Sequence, residues 1–202
     1  MAVSVYALSL ALFIPVSGWM ADRFGARSVF ASAIAIFTLS SALCGASDSL
    51  ETLVAARALQ GIGGAMMMPV GRLILGRSFA KRDLVTAMSY VTIPALIGPM
   101  IGPLVGGAIS TYTSWRWIFY VNVPIGLIGI AFTLKVIDNF TMAEMRRLDF
   151  PGFALVGIGL AGLVLGIENV GRGVLPQGTE TALLAVSAAA LFLYWRHARR
   201  VA

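Results

Sequence analysis

Arg57 and Gln60 stand in Arg57-Ala-Leu-Gln60-Gly61-Ile-Gly63-Gly64-Ala65, inside a run apolar enough to lie in a membrane. A guanidinium there costs about 2.5 to 3.5 kcal/mol on insertion scales. It therefore either faces a polar cavity, where its charge can act, or snorkels outward to the nearby surface. A second charged set is Gly18-Trp-Met-Ala-Asp22-Arg23-Phe-Gly25-Ala-Arg27. Asp22 can pair with an arginine or cap the helix that follows, Gly25 permits a positive φ, and the arginines fix orientation. The plainer alternative is an ordinary basic turn between two helices. Catalysis inside a membrane asks for clustered carboxylates, a histidine set or an activated Ser or Cys. None of the nine acids falls in the middle of an apolar run, and His197 stands alone in a terminal basic cluster. Cys44 is the single cysteine, which excludes a disulfide framework or a Cys-based metal site and leaves it as a small buried hydrophobe. Gly61-x-Gly63 superficially matches a dinucleotide loop, but no strand or later acidic partner supports it. The residues point away from an enzyme and imply no cofactor.

The elements that must position these groups are read from composition. Hydrophobic residues make up 58% of the 202 and charged ones 12%, with mean hydropathy +0.88, whereas soluble domains carry about 25% charge. This is the composition of an all-α integral membrane protein. The net charge of +6 does not imply nucleic acid, because the basic residues fall in short clusters between apolar runs. Seven spans of about 20 residues are expected, near 3–20, 28–46, 52–76, 85–109, 118–137, 150–167 and 181–195. The first begins almost at Met1 and lacks the basic leader and small-residue cleavage site of a signal peptide. Trp115-Arg116-Trp117 forms an interfacial aromatic belt before the fifth span.

Eleven Lys/Arg, among them Arg23, Arg27, Arg77, Lys81, Arg146 and Arg147, fall on one side of these spans; Arg116 and Arg172 fall on the other. The excess places the first side in the cytoplasm, with the amino terminus outside and the carboxyl terminus inside. An outside start that opens directly on a spanning helix hints at a missing preceding helix. Asn139-Phe-Thr141 is a glycosylation sequon by pattern, made inert by cytoplasmic placement.

The fourth span carries Pro94-Ala-Leu-Ile-Gly98-Pro-Met-Ile-Gly102-Pro103-Leu-Val-Gly106-Gly107 within thirty-two uncharged residues, 84–115. Pro94, Gly98, Gly102 and Gly106 recur every four residues, so they share one helix face that another helix can approach closely. Pro99 and Pro103 each remove a backbone donor. The expectation is a kinked, tightly packed membrane helix, whose plain alternative is passive helix packing.

Taken together, these stretches resemble signatures of the major facilitator superfamily. The Gly18 to Arg27 turn is similar to its cytoplasmic G-x-L-x-D-R-x-G-R-K motif, with Met20 at the Leu position and Ala26 where a basic residue is usual. Arg57 to Ala65 is similar to R-x-x-Q-G-x-G-A of the family's fourth helix. Gly98-x-x-x-Gly102-Pro103-x-x-Gly106-Gly107 matches the antiporter signature of its fifth helix without departure. Trp115 to Pro124 looks like the start of the sixth helix in the fourteen-helix drug:proton antiporter branch.

The resemblance implies a partial major facilitator fold. Residues 1–138 would be an incomplete amino-terminal bundle holding family helices two to six, 139–149 a cytoplasmic connection, and 150–202 two linker helices with a basic tail. Alternating access needs two bundles, so the chain is expected to be a partial transporter, not competent alone. The implied function is proton-coupled efflux of lipophilic small molecules across a bacterial inner membrane, powered by the proton gradient. The alternative is a non-transporting membrane scaffold or a truncated gene product. Gly18, Asp22, Arg23, Gly25 and Arg27 would serve a cytoplasmic gate, and Arg57, with Gln60 and Gly61, the cavity and proton coupling. Gly98, Gly102, Pro103, Gly106 and Gly107 would set helix packing and limit leak. Implied partners are a small-molecule substrate, the bilayer, and the remainder of a transporter or an accessory efflux component. The proton-carrying carboxylate is not assigned.

Overall fold

A computed structural model describes residues 2–139, 149–169 and 178–201. Among these described residues eight helices follow one another: α1 (Ala2–Phe24), α2 (Ala26–Ala46), α3 (Leu50–Ser78), α4 (Lys81–Tyr112), α5 (Trp117–Tyr120), α6 (Asn122–Val136), α7 (Phe150–Asn169) and α8 (Thr179–Val201). Seven stretches are long and apolar enough to cross a membrane, α5 and α6 together forming one of them, Trp117–Val136. The expected seven spans are thus present and the protein is all-α. The interruption at Val121 was not expected. Pro124 has no N–H to give the Tyr120 carbonyl, and this missing bond coincides with the break.

Short polar turns end the helices where the apolar runs stop. Ser49 and Thr52 form a capping box at the start of α3, with Thr52 N donating to Ser49 Oγ at 3.2 Å. Arg23, Arg77, Lys135 and Arg199 lie in the last turns of α1, α3, α6 and α8, where cations oppose the negative end of the helix dipole. The last helix runs through Arg196 to Arg200, so the expected basic tail is a helical turn. His197 is not alone either. Its Nε2 lies 2.8 Å from the Asp149 carboxylate, linking the end of α8 to the start of α7. The 139–149 connection, with Arg146 and Arg147, lies outside the described residues except at Asn139 and Asp149; Arg172 is outside them as well.

The core sits among α1, α2 and α3, where Ala21, Ala26, Val29, Ala33, Met66 and Val70 are buried together. Glycines on α3 make this possible. A Cβ on Gly61 would stand 2.7 Å from the Tyr6 carbonyl of α1, and one on Gly63 would stand 2.7 Å from Phe37 N of α2. Two positions apart on a helix means nearly opposite faces. The Gly61-x-Gly63 pair therefore lets α3 wedge closely between two neighbours, and it is not a nucleotide loop.

A second close contact joins α7 and α8. Gly159, Gly162 and Gly166 meet Leu191, Ser187 and Leu184, and the buried Ser187 hydroxyl donates to the Gly159 carbonyl. This pair also touches α1, with Leu12 beside Gly157.

The tight packing expected of α4 is not found among the described residues. Its 32 residues form one helix through Pro94, Pro99 and Pro103, yet only Ala87 is buried. A Cβ added at Gly98, Gly102 or Gly107 would meet nothing within 4 Å, and at Gly106 only Ile118 Cδ1 at 4.0 Å. The physical reason is placement. The side-chain-free face is present as read, but no described helix lies along it.

Candidate functional site

Arg57 lies two turns into α3, about 10 Å from its start, and is half-buried. Its Nη1 donates to Gln60 Oε1 at 2.7 Å, one turn further on, and Gln60 Nε2 donates to Ser41 Oγ of α2 at 2.5 Å. Gln60 and Ser41 are 1% and 0% exposed, so this relay closes the hydrogen-bonding needs of two polar groups in an apolar interior. The guanidinium carbon also lies 4.4 Å from the Tyr6 ring centroid of α1 and 5.6 Å from that of Phe119 of α5. Cation–π attraction between two rings favours an inward placement over water. Of the two placements open for Arg57, the structure has the inward one. Gln60 and Gly61 join it as expected; Ser41, Tyr6 and Phe119 were not anticipated. The buried Ser40-Ser41 pair in α2 was the available signal.

At the opposite end of α3, Arg77 Nη2 lies 3.0 Å from Asp22 Oδ1 at the close of α1. Asp22 thus takes the pairing role and not the capping one. Gly25 holds φ at 90°, the left-handed region that lets α1 end and α2 begin one residue later. The α2 start has no cap of its own. Asn139, just past α6, supplies one, its Oδ1 accepting from Ser28 N at 3.5 Å and its Nδ2 donating to Ser28 Oγ at 3.2 Å. Its side chain fills the space a Cβ on Gly25 would need. Arg27 reaches across to the Ile137 carbonyl at 3.5 Å, whereas Arg23 folds over Trp19 and Phe24 at 5.4 and 5.7 Å. The Gly18 position is open. The turn residues therefore form one cluster joining α1, α2, α3 and the end of α6. Arg77 and Asn139 carried no local signal, since their partners lie far away in sequence.

On the other side of the bundle Arg116 donates to the Ser47 carbonyl at 2.8 Å and pairs with Asp48 at 3.3 Å. A helix C-terminus and a carboxylate hold this arginine at its less basic end.

The family model of the Major Facilitator Superfamily matches residues 1–195. The chain belongs to the major facilitator superfamily. This major facilitator chain is also 46% identical over 200 residues to a protein of Escherichia coli named "Putative multidrug resistance protein MdtD". Proteins of the same name from Cronobacter sakazakii and Salmonella paratyphi B are 46% and 44% identical. In each case the match covers 98 or 99% of this chain and 42% of the relative, so the chain spans less than half the length of these relatives. The protein is accordingly a multi-pass membrane protein of a transporter family. The resemblance read from three motifs holds at the level of the superfamily.

Proposed function

We propose that this chain serves, as part of a transporter, proton-coupled efflux of lipophilic small molecules, as in the fourteen-helix antiporter branch, in a bacterial inner membrane. The single observation that carries the reading is Arg57, drawn inward onto Gln60, Tyr6 and Phe119 where a solvent-seeking arginine would have turned out. A cation held there lowers the proton affinity of any carboxylate brought near it. The names of the MdtD relatives support drug export, and their bacterial sources support the membrane. The Asp22, Arg23, Gly25 and Arg27 cluster, with Gly18, is the gate at the cytoplasmic end. The Gly98, Gly102, Pro103, Gly106 and Gly107 face is the packing surface that limits leak. Residues 1–138 act as family helices two to six of the amino-terminal bundle, 139–149 as a cytoplasmic connection, and 150–202 as two linker helices with a basic tail.

The test is flux of a lipophilic dye, under an imposed proton gradient, from proteoliposomes holding a full-length transporter that carries this chain. Arg57→Ala should abolish gradient-driven flux while leaving insertion intact, and Arg57→Lys should restore only part, since ammonium lacks the guanidinium fork. Full flux in Arg57→Ala overturns the coupling role. No flux from the well-inserted full-length parent favours a non-transporting scaffold. Cysteines at positions 48 and 81 should label from outside and inside respectively; the reverse pattern sinks the orientation.

A further inference from the structure

Between α3 and α4 lies a cavity of about 620 Å³, reached also by Phe30 of α2 and Ile137. It falls within the range of about 300 to 1,000 Å³ typical of ligand sites. Met67, Met68, Leu75, Met88, Val91 and Leu96 are among the apolar side chains of its wall, and the polar groups in it are Thr92 and Arg72. Arg57 does not line it, so this is not the site already described.

Arg72 is exposed within this apolar setting and makes no hydrogen bond or ion pair among the described residues. The arginines around it are all engaged: Arg77 with Asp22, Arg27 with the Ile137 carbonyl, and Arg82 with Asp83. Depth follows from helix rise. Arg72 precedes Arg77 by five residues, about 7 to 8 Å along the axis, and Arg77 marks the level of the basic turns. That puts the free guanidinium just below the surface, where the headgroup region meets the hydrocarbon. Among the described residues nothing covers the outer side of the α4 wall, where Val91 is 49% and Leu96 66% exposed, so the cavity opens sideways as well.

An unpaired cation at headgroup depth, an apolar trough running inward from it, and a lateral mouth together define one kind of occupant. We infer that the α3–α4 cavity binds an anionic phospholipid, its phosphate on Arg72 and an acyl chain along the methionine-lined wall. Three methionines suit a disordered chain because their unbranched thioethers adapt to irregular shapes. Phosphate oxygens accept the guanidinium donors that this structure leaves unused. A net negative headgroup is favoured over a zwitterionic one, whose own ammonium competes for the phosphate.

The experiment uses the full chain in a non-ionic detergent, titrated with phosphatidylglycerol, phosphatidylethanolamine or palmitate and read by native mass spectrometry. Phosphatidylglycerol should bind about fivefold more tightly than phosphatidylethanolamine, the effect of one basic residue at a lipid surface. Arg72→Gln should bring the two to equality, Arg72→Lys should keep the preference, and Arg82→Gln should leave it unchanged. Ala95→Trp, which fills the trough, should weaken both lipids. Equal binding of the two lipids by the parent, or an unchanged preference in Arg72→Gln, overturns the inference. Tighter binding of palmitate than of phosphatidylglycerol also overturns it, in favour of a lipophilic anionic solute.

Discussion

Asp22, at the end of α1, and Arg77, in the last turn of α3, form an ion pair at 3.0 Å across fifty-five residues of sequence. Their side chains are 38% and 23% exposed, so the pair is neither dry nor fully screened. It ties together two helices whose packed faces form the core. Asp22→Asn or Arg77→Gln should each cost about 1 kcal/mol, the upper end for partly exposed pairs. The exchange Asp22→Arg with Arg77→Asp should recover much of it. The check is a double-mutant cycle on detergent unfolding. Additive losses, with no recovery in the exchange, would reduce the pair to a surface contact.

The glycines of α3 and α4 should behave in opposite ways. A Cβ on Gly63 would press on backbone atoms of α2 at 2.7 and 2.8 Å, which cannot swing aside. Gly63→Ala should therefore cost about 1 to 3 kcal/mol, the range for overpacking. Gly102→Ala meets nothing within 4 Å and should stay within about 0.5 kcal/mol of the parent chain. Thermal unfolding of both variants distinguishes them. A large loss in Gly102→Ala would mean that the α4 face is covered by a second copy of the chain.

Asp149 joins α7 to α8 by accepting from Gly152 N at 3.0 Å and contacting His197 Nε2 at 2.8 Å. The Gly152 N–H, and after it the His197 contact, hold its carboxyl below the usual carboxylate range. A lowered folded value means that the contribution is whole above the ordinary carboxylate pKa of about 3.9. It is lost as pH falls through the lowered value. Asp149→Asn should thus loosen the α7–α8 ends at neutral pH and make little difference in strong acid. Amide hydrogen exchange near residue 152 reads this directly. An Asp149→Asn effect of equal size at both pH values would rule out the carboxylate charge as the cause.

The sequence by itself determined the seven spans, because bilayer-length apolar runs bounded by polar turns admit no other stable backbone in lipid. It determined the basic ends of the helices and the family too, since three motifs stand at fixed places, one in the turn between the first two spans and one each on the third and fourth. It also singled out Arg57 and Gln60, because a charge or amide inside an apolar helix must find a partner, and Asp22, because a carboxylate at a helix junction can pair or cap. Which partner was a tertiary matter. Ser41 lies nineteen residues from Gln60, Arg77 fifty-five from Asp22, and Asn139 more than a hundred from Ser28, separations that no local period encodes. The glycine stripes make the same point most sharply. Those of α4 and α7 look alike as strings, yet Gly159, Gly162 and Gly166 of α7 meet α8, whereas among the described residues nothing lies within 4 Å of a Cβ on Gly98, Gly102 or Gly107. A small-residue face states only that a neighbour can come close; whether one does depends on where the remaining helices pack.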